Sequence, residues 1–320
     1  VYKRQAGGSP PAHSMISDYY PPENRATALS FYSSGIYIGI LLGYLFGGVI
    51  AETFGWRMAF LVVGLPGVAF AVVLRLTVRE PQRGRWEAGS GKAVEKPSLG
   101  ETLALLRDRP SFWYLALGAA AVSYVSYGNG NFFPSYLIRI HGLSIAEVGM
   151  VLALVAGLSG AIGTFMGGYL GDRFGARDMR WYLWIPLLGV SLSFGPYVYI
   201  VMTDNTRAAL TTLFFAATLK ALYLGPCIAI SHALVPPGMR AITSAILFFI
   251  LNMIGLGAGP FLTGLVSDLL KPEYGEQSLR YSMLITTQVS LLAMGLFYMA
   301  ARHLPADLAK PQDRSSQSAP

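Results

Sequence analysis

The sequence predicts an all-α membrane protein built from two related helical bundles. Three observations carry that expectation. Of the 320 residues, 53% are hydrophobic and only 13% charged, and the mean hydropathy is +0.47. Soluble domains of this length are seldom so apolar. Eight apolar runs approach or exceed the ~20 residues that a helix needs to cross a bilayer. Finally, Tyr20-Pro-Pro-Glu-Asn-Arg25-Ala is echoed by Val235-Pro-Pro-Gly-Met-Arg240-Ala, 215 residues later. With one residue of slip the echo continues, and Gly39, Gly43, Gly48 and Glu52 fall opposite Gly255, Gly259, Gly264 and Asp268. A repeat of this length in apolar sequence implies two copies of one helical unit.

An incomplete apolar segment precedes Pro21, and the first full span is expected over 29–50. In it Gly35, Gly39, Gly43 and Gly47 recur every fourth residue and strip one helical face of side chains. Such a stripe lets another backbone approach closely, between the halves or within one. The second span is expected over 59–76, with Trp56 as an interfacial anchor. The stretch 79–110 is polar and rich in Arg, Gly and Glu. Within it Ser98-Leu-Gly-Glu101 reads as a capping box opening a short amphipathic helix that Pro110 stops. Further spans are expected over 112–138, 148–170, 181–202, 208–235, 242–270 and 281–301. Gly157, Gly160, Gly163 and Gly167 make a second glycine stripe in the span at 148–170. The expected organisation is therefore 1–78 as the remainder of a first half, 79–110 as a linker, 111–304 as a six-helix second half and 305–320 as a disordered tail.

Lys and Arg divide unevenly between alternate loops, with fifteen on one side and five on the other. The positive-inside rule places the richer side, and the C-terminus, in the cytoplasm. Six crossings separate the two Pro-Pro loops, so both lie on one face and the repeats are parallel. The net charge of +7 follows from this loop bias and does not imply nucleic acid. One cysteine, Cys227, rules out an internal disulfide framework and a multi-cysteine metal site. The sequence holds no P-loop, no His-Glu-x-x-His, no Gly-x-Ser-x-Gly and no paired intramembrane carboxylate. An enzyme, a metal site and a cofactor are thus not expected, and ATP does not drive the protein.

Lys220 lies near the middle of the span at 208–235, too deep to snorkel comfortably. A charge at that depth costs ~2.5–3.5 kcal/mol. No Asp or Glu stands at matching depth in any other span. Its role is either to bind an anionic solute, to pair with a helix outside this chain, or to stay neutral beside water. Tyr124, Tyr127, Asn131 and Ser135 share a narrow arc of the span at 112–138. They would suit the wall of an amphipathic solute's pocket, or else hydrogen-bond neighbouring helices. Pro134 is positioned to break that helix near Asn131. Asn252 is expected to bond between helices, and His13 and His232 to be packed hydrogen-bonders.

Several motifs resemble a known family. Gly168-Tyr-Leu-Gly-Asp172-Arg173-Phe-Gly175 is similar to the Gly-x-Leu-x-Asp-Arg-x-Gly signature of the major facilitator superfamily. The Pro-x-x-Arg25-Ala loop, the glycine-rich span after it and Gly55-Trp-Arg57 also match that superfamily's first half. Ser9-Pro-Pro-Ala-His-Ser-Met-Ile-Ser-Asp18 and Gly255-Leu-Gly-Ala-Gly-Pro260 resemble its bacterial spinster-like branch.

The resemblance implies the major facilitator fold, with helices 4–12 of twelve present and the first three preceding Val1. It implies a secondary transporter of a small amphipathic or anionic solute, working by alternating access in a bacterial inner membrane, with protons as possible coupling partner. Lysophospholipid-like lipids follow from the branch alone. Helices 5 and 8 are implied to slide past each other at their glycines. Asp172, Arg173 and Gly168 are implied to meet the helix opened by Arg25 and to hold the cytoplasmic mouth shut, with Arg240 opening the symmetry-related helix; a topology signal with a local turn is the other reading. Gln5 stands where the branch carries an acidic proton site, and the expected acid of helix 1 would precede the chain. The alternatives are a receptor or assembly protein on the same fold, or an inactive fragment.

Overall fold

The computed structural model describes residue 19, residues 22–77 and residues 98–311, with the side chains of 22–34, 36, 37 and 237 excluded. Among the described residues the architecture is helical throughout. The long helices are α1 (Pro22–Phe54), α2 (Trp56–Thr77), α4 (Pro110–His141), α5 (Ile145–Gly175), α6 (Trp181–Met202), α7 (Thr206–Ala233), α8 (240–274) and α9 (Ser278–Leu308). One short helix, α3 (Leu99–Arg107), precedes α4. Each of the eight expected spans corresponds to one long helix, although α7 ends at Ala233, two residues short of the expected 235. The segment before Pro21, His13, Gln5 and most of the linker lie outside the described residues.

Local signals fix the boundaries. Ser98 caps α3 as expected, accepting from Glu101 N while Glu101 accepts from Ser98 N. Ser144 and Glu147 repeat that box at the start of α5. The Asn205 side chain caps α7. Gly142, at φ 66°, ends α4 in the left-handed conformation that glycine adopts without strain. α1 and α8 also end at glycines of positive φ, Gly55 at 83° and Gly275 at 56°. Each is followed within a few residues by the next long helix, α2 or α9.

Three helices are irregular at mid-length. α5 widens into a π segment over Ala153–Ser159, α8 does so over Asn252–Ala258, and α7 tightens to a 3-10 turn over Ala221–Tyr223. Such segments offset the ladder and re-aim the side chains around them. α4, by contrast, runs unbroken through Pro134, so the break expected near Asn131 does not occur. Asn252 donates to Phe248 O of its own helix at 2.9 Å rather than to another helix.

α4, α8 and α9 approach closely at glycines. A Cβ on Gly128 would lie 2.8 Å from Thr263 Oγ1, and one on Gly259 would lie 2.8 Å from Tyr124 O. Hydroxyls line this seam: Thr263 meets Thr286 at 2.8 Å, and Asn129 donates to Thr287 at 2.9 Å. Small and hydroxylated residues are the usual basis of association in lipid, where no hydrophobic drive exists between helices. The start of α4 is tied to the end of α9. Arg109, 2% exposed, donates to the carbonyls of Asp307, Lys310 and Pro311. The Asp307 carboxylate accepts from Ser111 N at 2.8 Å and from Lys310 at 2.7 Å. The helix thus continues past Pro305, where the tail was expected to begin, and residues to 311 are held. α2 buries no residue, which leaves its apolar surface for lipid or for further helices.

Candidate functional site

α7 is a regular helix as far as Lys220, where the 3-10 turn begins. The break places a single cation midway along a 28-residue apolar run. Lys220 is partly buried. Its Nζ lies 4.2 Å from the centroid of the Tyr197 ring on α6. Tyr197, 4% exposed, packs in turn against Phe133 with centroids 6.4 Å apart. Lys220 makes no ion pair among the described residues. A desolvated cation–π contact returns about 2 kcal/mol, against ~2.5–3.5 kcal/mol for placing the charge there. The ring therefore offsets only part of the cost, and an anion arriving at Nζ would supply the rest.

The expected wall residues lie on α4. Tyr124 is partly buried and Tyr127 is 41% exposed on α4. Asn131, also exposed, donates to Tyr127 O at 3.1 Å, so the amide follows its own helix. The ring contact of Lys220 is with Tyr197 on α6, and no bond between Lys220 and these three residues is among those described. Sequence reasoning missed Tyr197 because it sought an acidic partner for the lysine. An aromatic face was the other available partner.

The glycine stripes are placed differently from each other. A Cβ at Gly35, Gly39, Gly43 or Gly47 would meet no described atom within 4 Å. The approach of α1 to α5 runs about 100° further round α1, the turn made by one helical residue. There a Cβ on Gly48 would lie 3.0 Å from Gly149 Cα, one on Gly149 2.6 Å from Tyr44 O, and one on Gly157 2.8 Å from Leu41 Cβ. Gly163 and Gly167 face α7: a Cβ on Gly163 would lie 2.7 Å from Ala221 Cβ, and one on Gly167 would strike Leu222 backbone. That is packing within one half, next to Lys220.

At the far end of α5, Asp172 accepts from the Tyr182 hydroxyl of α6 at 2.8 Å, and Arg173 donates to Tyr169 at 3.1 Å. Gly168 is partly buried, with open space at its Cβ position. Arg240 opens α8 and is exposed. Arg25 lies in the first turn of α1, and its side chain is outside the described residues. Asp172 thus has a partner in its own half, and a partner near Arg25 is not among the described contacts. His232 meets Ser244 at 2.6 Å, between α7 and α8.

The opposite ends of α4, α7 and α9 share a polar cluster. His141 meets the Thr206 hydroxyl through Nδ1 at 3.0 Å and the Tyr136 hydroxyl through Nε2 at 3.3 Å. Arg280 pairs with Asp204 at 2.5 Å. Burial, and then the Arg280 charge, hold the His141 pKa below its ordinary 6.5, against the smaller opposite pull of Asp204. The fold thus favours the neutral ring. Its contribution to stability is complete above pH 6.5 and is lost as pH falls below that value. Thermal unfolding in detergent should show a lower Tm at pH 5.5 than at pH 7.5, and His141→Gln should flatten the difference. An unchanged slope in that variant would remove His141 from the account.

A bundle of long apolar helices in two repeated units, with a cation midway along one of them, defines a multi-pass membrane protein of transporter architecture. The family model described as Major Facilitator Superfamily matches residues 5–260, and the chain belongs to that superfamily. Within it the similarity is to spinster-like transporters. An "MFS-type efflux pump" of Mycolicibacterium smegmatis is 30% identical over 95% of this chain and 70% of its own length. "Protein spinster homolog 3" of Mus musculus is 27% identical over 93% of this chain. The chain spans 62% of that mouse protein, a little under two thirds of its length. Among solved structures, a bacterial homologue of the human lysosomal transporter spinster, inward-facing and unoccupied, superposes with a TM-score of 0.86 at 30% identity, covering 94% of this chain and 76% of that one. The inward-facing occupied form of such a homologue gives 0.80.

Proposed function

We propose that this chain forms the greater part of a secondary active transporter. It moves a small amphipathic or anionic solute across a bacterial inner membrane by alternating access, with its C-terminus in the cytoplasm. One observation carries the reading. A cation sits at mid-membrane, at a break in its helix, and only an aromatic ring partners it among the described residues. An arrangement that costs this much and stabilises so little fits a binding group better than a structural one. Lys220 receives the anionic headgroup, and Tyr197 holds the ammonium when the site is empty. Tyr124, Tyr127 and Asn131 on α4 line the path of the apolar part.

The likeness to inward-facing homologues supports rocking of two halves about this depth. Proton coupling rests on the branch resemblance, and lysophospholipid-like substrates rest on it alone. The reading is of a transporter and not of an enzyme. The Asp172–Arg173 end is the cytoplasmic mouth, where Arg25 and Arg240 open the facing helices.

The test is uptake by the full-length protein in proteoliposomes under an imposed pH gradient, across a panel of lysophospholipids, organic anions and cationic drugs. Uptake that is saturable, prefers anionic amphiphiles and collapses with the gradient is the expected result. Transport of none of them under any gradient would favour the receptor reading.

A further inference from the structure

We infer that Glu52 is an electrostatic latch that holds shut the mouth opposite Asp172, by capping the start of a helix in the other half of the molecule. The inference rests on the transporter reading for its purpose but not for its geometry. The Glu52 carboxylate, in the last turn of α1, accepts from Ala146 N in the first turn of α5 at 2.5 Å. The two residues are 94 apart in sequence, so this is not a local turn.

The first turn of α5 already has its own cap. Ser144 accepts from Glu147 N at 3.3 Å, and Glu147 accepts from Ser144 N at 2.8 Å. That box leaves Ala146 N without a partner, as the first N–H groups of any helix are. A carboxylate from the other half satisfies it, and its negative charge lies at the positive end of the helix dipole.

The latch stands at the open end of the α1–α5 seam. Leu41, Tyr44, Gly48 and Glu52 form one stripe of α1 and meet Gly157, Gly149 and Ala146 of α5 in turn. The two glycines bring the backbones together so that the carboxylate can reach. Separating the helices at this mouth must strip Ala146 N of its acceptor and return Glu52, exposed at the aqueous end, to water. The closed state is therefore favoured by a charge-assisted bond that the open state lacks. Asp268 holds the equivalent position in the second repeat, near the end of α8, and is likewise exposed.

The experiment reads the seam directly. In the full-length protein with Cys227 and any further native cysteine replaced by Ser, Leu41→Cys places a single thiol inside the seam. Its labelling by a membrane-impermeant maleimide is followed in sealed vesicles of defined orientation, without substrate. Glu52→Ala should speed labelling from the latch side by roughly fivefold or more, as expected for losing about 1 kcal/mol of bias. Glu52→Gln, which keeps an acceptor but no charge, should fall between, and its milder change guards against misfolding. Rates equal to the parent in both variants would overturn the latch. Uptake is measured on the same vesicles. Faster labelling without any parental uptake would keep the latch and sink the transporter reading.

Discussion

Lys220→Ala should abolish uptake while leaving the protein as stable as before, or more stable. The opposite signs follow from the geometry. Truncation removes a charge that costs ~2.5–3.5 kcal/mol at mid-depth. It sacrifices one cation–π contact with Tyr197, worth about 2 kcal/mol when desolvated. Tm should therefore hold or rise by a few degrees. Transport of an anionic solute should fall at least tenfold, because the headgroup would be desolvated without a partner. Lys220→Arg should keep part of the activity, since the charge remains but the compact ammonium does not. A lower Tm with unchanged uptake would make Lys220 structural and refute the headgroup role.

Leucine at Gly163 or Gly167 should be strongly destabilising. A side chain at either position has nowhere to go. The Cβ alone would overlap the carbonyl of Thr218 or the backbone of Leu222, and a helix backbone cannot shift without breaking its own ladder. Overpacking of this kind costs roughly 1–3 kcal/mol, and more when backbone must move. The expected readout is a drop in Tm of several degrees or loss of monodisperse protein. Gly168→Ala, on the same helix with open space at the Cβ position, is the matched comparison and should fold normally. A Cβ at Gly43 likewise meets no described atom within 4 Å, so the effect of Gly43→Leu should be smaller than that of Gly163→Leu. Equal damage at 43 and 163 would mean that the packing described for α5 and α7 is wrong.

These cases show what the residues disclose and what they hide. Long apolar runs locate helices well because the bilayer sets their minimum length, and each of the eight expected spans corresponds to one helix. The Ser98–Glu101 box was legible because its two hydrogen bonds depend only on local spacing. The repeat was legible through its Pro-Pro-x-x-Arg loops, which stand at the starts of α1 and α8. Glycine spacing shows that a face is bare, but not which bare face meets a neighbour. Hence the α1–α5 contact runs through Leu41, Tyr44 and Gly48 rather than through Gly43 and Gly47. The π segments of α5 and α8 gave no sequence sign, and Pro134, a helix breaker by rule, is accommodated in α4.

The candidate site was legible in its one expensive residue and not in its partners. A mid-span lysine stands out by cost alone, whereas Tyr197 is one of 18 tyrosines and becomes informative only when its ring is found under Nζ. Glu52 carried a readable signal, since the repeat sets it opposite Asp268 at the end of equivalent spans. What could not be read was the helix start facing it, because tertiary structure brings Ala146 there from across the linker.

The most direct test of two halves pivoting about a central site is a pair of distances measured by electron paramagnetic resonance in liposomes. Spin labels at Thr53 and Ile145 report the mouth that Glu52 caps, and labels at Asn24 and Arg173 report the other. Adding a transported solute should lengthen one distance while shortening the other, with both populations present in its absence. Distances that stay fixed, or that change together in the same direction, would contradict the account.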